Sequence, residues 1–234
     1  MKHQIQYGTS VIDFTLEYAE RKTLGIRVYP DKSVQVIAPV GATQQAIEKK
    51  VKSKAAWIQK QQDFFLSFYP HTPPRKYVSG ETHLYLGKQY RLKLIQSKQE
   101  QVKLIGGRIT VFTADTSNKE KIKQALKQWY TQKAQTHFPV LFNKLLPKAQ
   151  TFYEGTPQLK YRWMKKRWGS CHKNGQILLN IELIKAPKKC IEYVIMHEFC
   201  HLAHLNHSRA FYALLEKHYP DWRKTKDYLE HLMV

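Results

Sequence analysis

Apolar positions in this chain fall at helical spacing in three stretches and in short strand-like runs between them. From Thr43 to Phe65, Ile47, Val51, Ala55 and Ile58 share one side while lysines occupy the rest, which predicts a helix. Ser117 and Glu120 have capping-box spacing ahead of Ile122, Ala125, Leu126 and Trp129, so a second helix is expected there. A third runs from about Pro187 to Ala203, with proline at its first position and Ile191, Val194, Ile195 and Leu202 at helical spacing. Leu24 to Val28 and Val34 to Ala38 flank Pro30-Asp31-Lys32 as a hairpin. His83 to Ile95 and Gln101 to Thr113 read as strand pairs, with a turn signal at Gly106-Gly107. Leu159 to Trp168 and Gln176 to Leu183 read as strands before the third helix.

These elements predict an α+β fold in which an N-terminal region of strands and helix packs with a C-terminal domain. That domain is expected to hold a mixed or antiparallel sheet and the third helix. The connector Tyr69 to Gly80, broken by Pro70, Pro73 and Pro74, is the natural boundary. The expected divisions are 1–69, 70–148 and 149–234. No internal repeat or low-complexity tract is visible. The N-terminal half contains no P-loop, G-x-G-x-x-G or G-x-S-x-G.

A chain of 234 residues can bury a substantial core. No apolar run is long enough to cross a bilayer, and the start, Met1-Lys2-His3-Gln4-Ile5, lacks the apolar centre of a signal peptide. Cys171, Cys190 and Cys200 form no C-x-x-C pair, and their odd number fits reduced thiols. The expectation is a cytoplasmic protein without a membrane partner.

The formal net charge of +21 is large for this length. Lysines are spread along the chain, which points to basic surfaces on a folded protein rather than a tail. The densest stretch is Lys160-Tyr161-Arg162-Trp163-Met164-Lys165-Lys166-Arg167-Trp168. On a strand, Lys160 and Arg162 share one face and Tyr161 and Trp163 the other. Such a strand is either an edge guarded by charge, or a surface holding phosphate through Arg162, Lys165, Lys166 and Arg167 with bases stacked on its aromatics.

The chemistry concentrates in His197-Glu198-Phe199-Cys200-His201. On a helix the two histidines fall on one face, about 6 Å apart along the axis, so one divalent metal can bridge them. Glu198 points to the adjoining flank, where it can touch a metal-bound water without being a ligand. Two imidazoles and a carboxylate inside an apolar helix need a partner to offset desolvation, and a metal with its water supplies one. Cys200 turns off the metal-facing side and reads as packing. If the chain turns after Leu205-Asn206, His207 closes a three-histidine site with one open position, as catalytic zinc requires. Ser208 then caps a following helix with Phe211, Leu214 and Leu215 as its apolar face. His204 lies about a turn above the metal, as a supporting or substrate-facing group. Glu216 is a rival third ligand. Arg209, His204, Tyr212 and His218 are candidates to stabilise an oxyanion.

The spacing of His197, His201 and His207 equals that of metzincin proteases, but His204 stands where they have glycine and Met233 is too near the C-terminus for a Met-turn. The chain resembles instead the YgjP-like family of metal-dependent hydrolases, relatives of WLM and SprT-type metallopeptidases. The residues that carry this are Arg167-Trp168-Gly169-Ser170-Cys171, Ile177-Leu178-Leu179-Asn180, His197-Glu198-Phe199-Cys200-His201-Leu202 and His204-Leu205-Asn206-His207-Ser208 with Phe211. Similarity extends upstream through Ala38-Pro39 and Trp57-Ile58. The resemblance implies a zincin-like C-terminal domain, Zn2+ on His197, His201 and His207, and Glu198 as general base. It does not fix a substrate, because members are named as peptidases and one as a UTP pyrophosphatase.

Three functions suit these residues. A peptidase would align an extended peptide or protein along an edge strand beside the metal helix. A nucleotide pyrophosphatase would use the excess positive charge, although no paired-acid cluster for magnesium is visible. A nucleic-acid-associated protein with a structural metal helix would bind through its basic surface, with strong salt dependence.

Overall fold

A computed structural model describes residues 2–8, 10–29, 31–66, 75–165 and 167–232. The expected break at Pro70, Pro73 and Pro74, the turn residue Pro30, Lys166 and Met233 lie outside the described residues. The fold is α+β, and the chain separates into two compact units, residues 1–72 and 73–233.

The first unit is a four-stranded sheet followed by two helices. Strands β1 (Lys2–Tyr7), β2 (Ser10–Ala19), β3 (Gly25–Val28) and β4 (Val34–Pro39) lie in the order β1-β2-β4-β3. The β3–β4 hairpin forms as expected, with Val28 opposite Val34. The helix read from Thr43 to Phe65 is instead two, α1 (Gln44–Ser53) and α2 (Ala55–Leu66), interrupted at Lys54. Ser53 Oγ donates to the Lys50 carbonyl at 2.8 Å, the kind of side-chain bond that competes with the backbone ladder at a helix end. The apolar spacing survives the break, for Ile47, Val51, Ala55 and Ile58 are all buried with Ile12, Phe14, Val34 and Val36.

The second unit begins with the same connectivity. Strands β5 (Thr82–Tyr85), β6 (Lys88–Gln96), β7 (Gln101–Ile105) and β8 (Arg108–Thr113) run in the order β5-β6-β8-β7, again with two antiparallel pairs flanking a central parallel one. Each four-stranded sheet is followed by helix, so a repeat exists in topology that is not visible in the sequence. Helix α3 (Lys119–Ala149) follows, capped by Asn118 rather than Ser117. Both the N–H and the Oγ of Ser117 donate to Asp115 Oδ1, which leaves Asn118 Oδ1 to accept from the Lys121 N–H at 3.0 Å. α3 continues through Pro139 and Pro147, and buries Trp129, Phe138, Phe142 and Leu145 along its length.

A second, three-stranded sheet has the order β10 (Gly169–Cys171), β11 (Gln176–Asn180), β9 (Gln158–Arg162). β9 is parallel and β10 antiparallel to the central β11. The strands are shorter than the hydrophobic runs suggested. β9 stops at Arg162, and after β11 the chain tightens into a 3₁₀ turn, Ile181–Lys185. Asn180 is the reason: its Oδ1 accepts from the N–H groups of Met164 and Glu182, and its Nδ2 donates to the carbonyls of Met164 and Arg167. One buried amide thus ties the backbone of Met164 and Arg167 beside the end of β11.

Helix α4 (Lys188–Ala203) lies across this sheet and against α3, where Phe142 and Phe199 meet edge-on at 4.9 Å. Its entry is fixed by the β5–β6 turn, whose Leu86 and Gly87 N–H groups donate to the carbonyls of Ile184 and Lys185. Gly87 has φ +80°, and a Cβ there would sit 2.5 Å from Pro187 Cγ, so the turn approaches the helix start only without a side chain. Helices α5 (Arg209–His218) and α6 (Trp222–Leu232) complete the unit. Residues from Tyr85 to Leu229 contribute to one buried cluster, so the β5–β8 sheet and α3 share a core with the helix carrying the histidines. No helix among the described residues is long and apolar enough to cross a membrane.

Candidate metal centre

Because α4 is helical through His197 and His201, both imidazoles emerge on one face, with ring centroids 5.0 Å apart. The helix ends at Ala203, and His204 is its C-cap in an extended conformation. That exit lets the chain turn within three residues to Ser208, whose Oγ accepts from the Phe211 N–H at 3.3 Å and starts α5. The turn carries His207 back over α4. Ring nitrogens of His197, His201 and His207 then lie within 4.8 Å of one another.

Hydrogen bonding orients the rings. His201 Nδ1 lies 2.9 Å from the His204 carbonyl, which can only accept, so Nδ1 carries the proton and Nε2 keeps its lone pair. Thus His204 contributes its backbone oxygen. Nε2 of His207 is 3.0 Å from Nε2 of His197. His197 Nδ1 is buried and has no partner among the described residues, so its ring is held by packing against Tyr193 and Phe211. Phe211, fully buried, lies beneath all three imidazoles with centroid separations of 5.0, 4.6 and 4.8 Å. It packs the triad as well as forming the apolar face of α5.

Burial pushes the His197 imidazole down to about 3, and the neighbouring His201 and His207 add to the effect. Burial also lowers His207. Three imidazoles whose ring nitrogens gather in one place suit a borderline divalent cation. Glu216 is engaged elsewhere, accepting from Trp222 Nε1 at 2.6 Å and Arg223 Nη1 at 2.8 Å.

Glu198 is 5% exposed and makes no ion pair among the described residues. Burial raises its carboxyl to about 8, against the opposing pull of the Arg167 guanidinium. The side chain lies against β10, where a Cβ on Gly169 would come within 2.5 Å of Glu198 Oε1. A cavity of about 250 Å³ opens beside Glu198 and His197. Its walls are Tyr193, Val194 and Leu229, and its charged groups are Arg167, Lys226, Glu198 and Glu230. Of the cationic candidates, Arg167 alone among those described reaches this cavity. Arg162 and Lys165 are exposed outside it, and Lys166 lies outside the described residues. Among the oxyanion candidates Tyr212 stands beside His207, with centroids 6.1 Å apart, whereas His218 packs on Phe152. Cys200 is fully buried and its thiol is pushed up to about 12, in keeping with packing.

A family model, YgjP-like, metallopeptidase domain, matches residues 22–232. The chain belongs to the YgjP-like family. The match covers nearly all of the second unit and the first unit from Lys22 onward, leaving out β1 and β2, and membership supports a metal-dependent hydrolase by class. No curated protein matches the chain. Gly169 and Phe211 are the residues whose part in a YgjP-like centre periodicity could not reveal. Their signal was only that they stood in the motifs shared with the family.

Proposed function

We propose that this protein is a zinc-dependent peptidase in which His197, His201 and His207 hold the ion and Glu198 is the general base. The observation that carries the reading is the contact of Glu198 with the edge strand β10 at Gly169, beside the three converging imidazoles. β10 is terminal in its sheet. The bonds His172 N–H to Gln176 O and Asn180 N–H to Trp168 O fix its register. By antiparallel alternation the backbone groups of Gly169 and Cys171 then point away from β11. An extended peptide added there would run past Glu198.

When bound, the ion supplies Lewis-acid activation of water and of the scissile carbonyl. Glu198 accepts a proton at its carboxylate and returns it to the leaving amine. Burial raises the Glu198 carboxyl, which makes it a stronger proton acceptor once ionised. Tyr193, Val194 and Leu229 form an apolar wall for a substrate side chain, and Arg167 and Lys226 favour acidic groups near the mouth. The three cysteines are unpaired, which supports a reducing, cytoplasmic setting.

A second reading is nucleotide pyrophosphate hydrolysis at the same centre, favoured by Arg167 and Lys226 beside Glu198. Zinc-loaded wild type and Glu198→Gln, each given an unstructured protein and UTP, separate the two. Proteolysis lost in the variant establishes the peptidase. Pyrophosphate release lost in the variant, with the protein substrate intact, replaces it with the nucleotide enzyme.

A further inference from the structure

The second unit contains another concave site that shares no lining residue with the metal cavity. It encloses about 320 Å³ between the β5 strand, the first turns of α3 and the loop after β9. That volume is in the range of small-ligand sites. Arg75, Lys123, Lys127 and Lys185 line it, against the single carboxylate of Glu182.

These cations are arranged in two ways. Lys185 pairs with Glu182 and also lies over the Tyr130 ring at 5.2 Å. Lys123 and Lys127, one helical turn apart on α3, are exposed, and Lys127 Nζ rests 5.6 Å from the centroid of Trp163. The Lys123–Glu120 pair at 3.3 Å is solvent-exposed and holds little. Arg75 donates to the Thr82 carbonyl and is fixed at the rim. Burial and the Arg75 cation push the imidazole of buried His83 down, and the Glu81 carboxylate, 3.1 Å from its Nε2, opposes them.

Trp163 is shared between this cavity and an adjoining open groove of about 590 Å³. The groove's other wall is Gln124, Gln128, Gln132 and Gln135, a row at helical spacing on one side of α3. Glutamine amides offer both donors and acceptors without charge, which suits base edges. Lys127 lines the groove as well as the cavity, so cations and amides meet at the indole, as the two halves of a nucleotide require.

We propose that this composite site binds a nucleoside phosphate, its base against Trp163 and the glutamine row, its phosphate among Lys123, Lys127, Arg75 and Lys185. Charge-assisted bonds hold the phosphate and stacking holds the base. A free nucleotide and a nucleotide within a single strand present the same chemistry. The site is separate from the metal centre and does not depend on which substrate that centre hydrolyses.

The test is calorimetric titration of the intact protein with UMP, inorganic phosphate and a short oligouridylate at physiological ionic strength. Lys123→Glu/Lys127→Glu tests the phosphate side. Lys49→Glu/Lys52→Glu, exposed lysines of the other unit, changes net charge equally and controls for bulk attraction. Gln128→Ala/Gln132→Ala tests the base side. All six positions are exposed, so folding should be kept. We expect UMP binding to weaken at least roughly tenfold in the first double variant and less than about twofold in the control. The glutamine variant should weaken UMP but not phosphate. The same pattern with the oligomer alone assigns the site to a strand. Equal losses in both lysine pairs, phosphate binding as tight as UMP, or no binding by any probe would each overturn the proposal.

Discussion

Gly169 and Glu198 are so close that a methyl group on the strand residue would lie 2.5 Å from the carboxylate oxygen and 2.9 Å from its carbon. The carboxylate is sandwiched between its own helix and the edge strand, and only a residue without Cβ leaves room. Gly169→Ala should therefore push Glu198 out of place while leaving the three histidines intact. Turnover should fall roughly a hundredfold, the scale of a misplaced catalytic group, with metal content unchanged. Metal analysis beside a hydrolysis assay checks both halves. Wild-type turnover would dissociate Glu198 from the reaction.

Phe211 packs against all three imidazoles from below, and its own N–H is tied to the Ser208 cap. Phe211→Ala removes that floor from a fully buried position, at a cost of about 3–5 kcal/mol in stability. Phe211→Leu keeps much of the volume but loses the flat ring. It should fold, and should bind zinc more weakly than wild type by at least roughly tenfold, the effect of disturbing groups that orient ligands. Competition with a chelator measures the affinity. Unchanged affinity would reduce Phe211 to a core residue.

The legible parts were those governed by local periodicity. The α4 helix, the hairpins and the Ser208 cap follow from apolar spacing and turn residues that act within a few positions of themselves. The return of His207 toward α4 was expected from a turn after Leu205-Asn206 ahead of the Ser208 cap, whereas the helix already ends at Ala203. What sequence could not show depends on distant partners. Nothing near Met164 and Arg167 betrays that Asn180 binds their backbone, and nothing near Gly169 announces the carboxylate of a helix residue beside it. The break at Lys54 leaves the apolar period intact, so periodicity could not register it. The repeated order of the two four-stranded sheets is conserved in connectivity and absent from the residues.

Asn180 is 2% exposed and spends every hydrogen-bonding position of its amide on the backbone of Met164, Arg167 and Glu182. Removing it strands buried backbone groups, each worth about 1–3 kcal/mol. Asn180→Ala should lower the melting temperature by several degrees at least, since about 1 kcal/mol is worth roughly 2–4 °C at this size. It should also loosen Arg167, whose carbonyl the amide holds. Asn180→Asp keeps the acceptor and loses two donors, so it should fall between wild type and alanine. A thermal melt of the three proteins checks the order. Alanine melting with wild type would mean that this backbone is held by other contacts.

His83 is 4% exposed, and its imidazole lies below its usual value because burial disfavours the charged form and Arg75 repels it, with Glu81 opposing. A basic group whose folded value is lowered gains protons more readily when unfolded. Its contribution to stability is therefore complete above the unfolded value of about 6.5 and is lost as pH falls below it, until the folded value is reached. Wild type should consequently lose melting temperature on going from about pH 7.5 to pH 5.5. His137 and His218, both lowered by burial, add to that slope. His83→Gln removes one titrating ring while keeping a donor toward Glu81, which His83 Nε2 approaches at 3.1 Å. The difference in melting temperature between wild type and variant should shift in the variant's favour as pH falls through this window. A constant difference across it would mean that His83 titrates in the folded protein as it does in the unfolded chain.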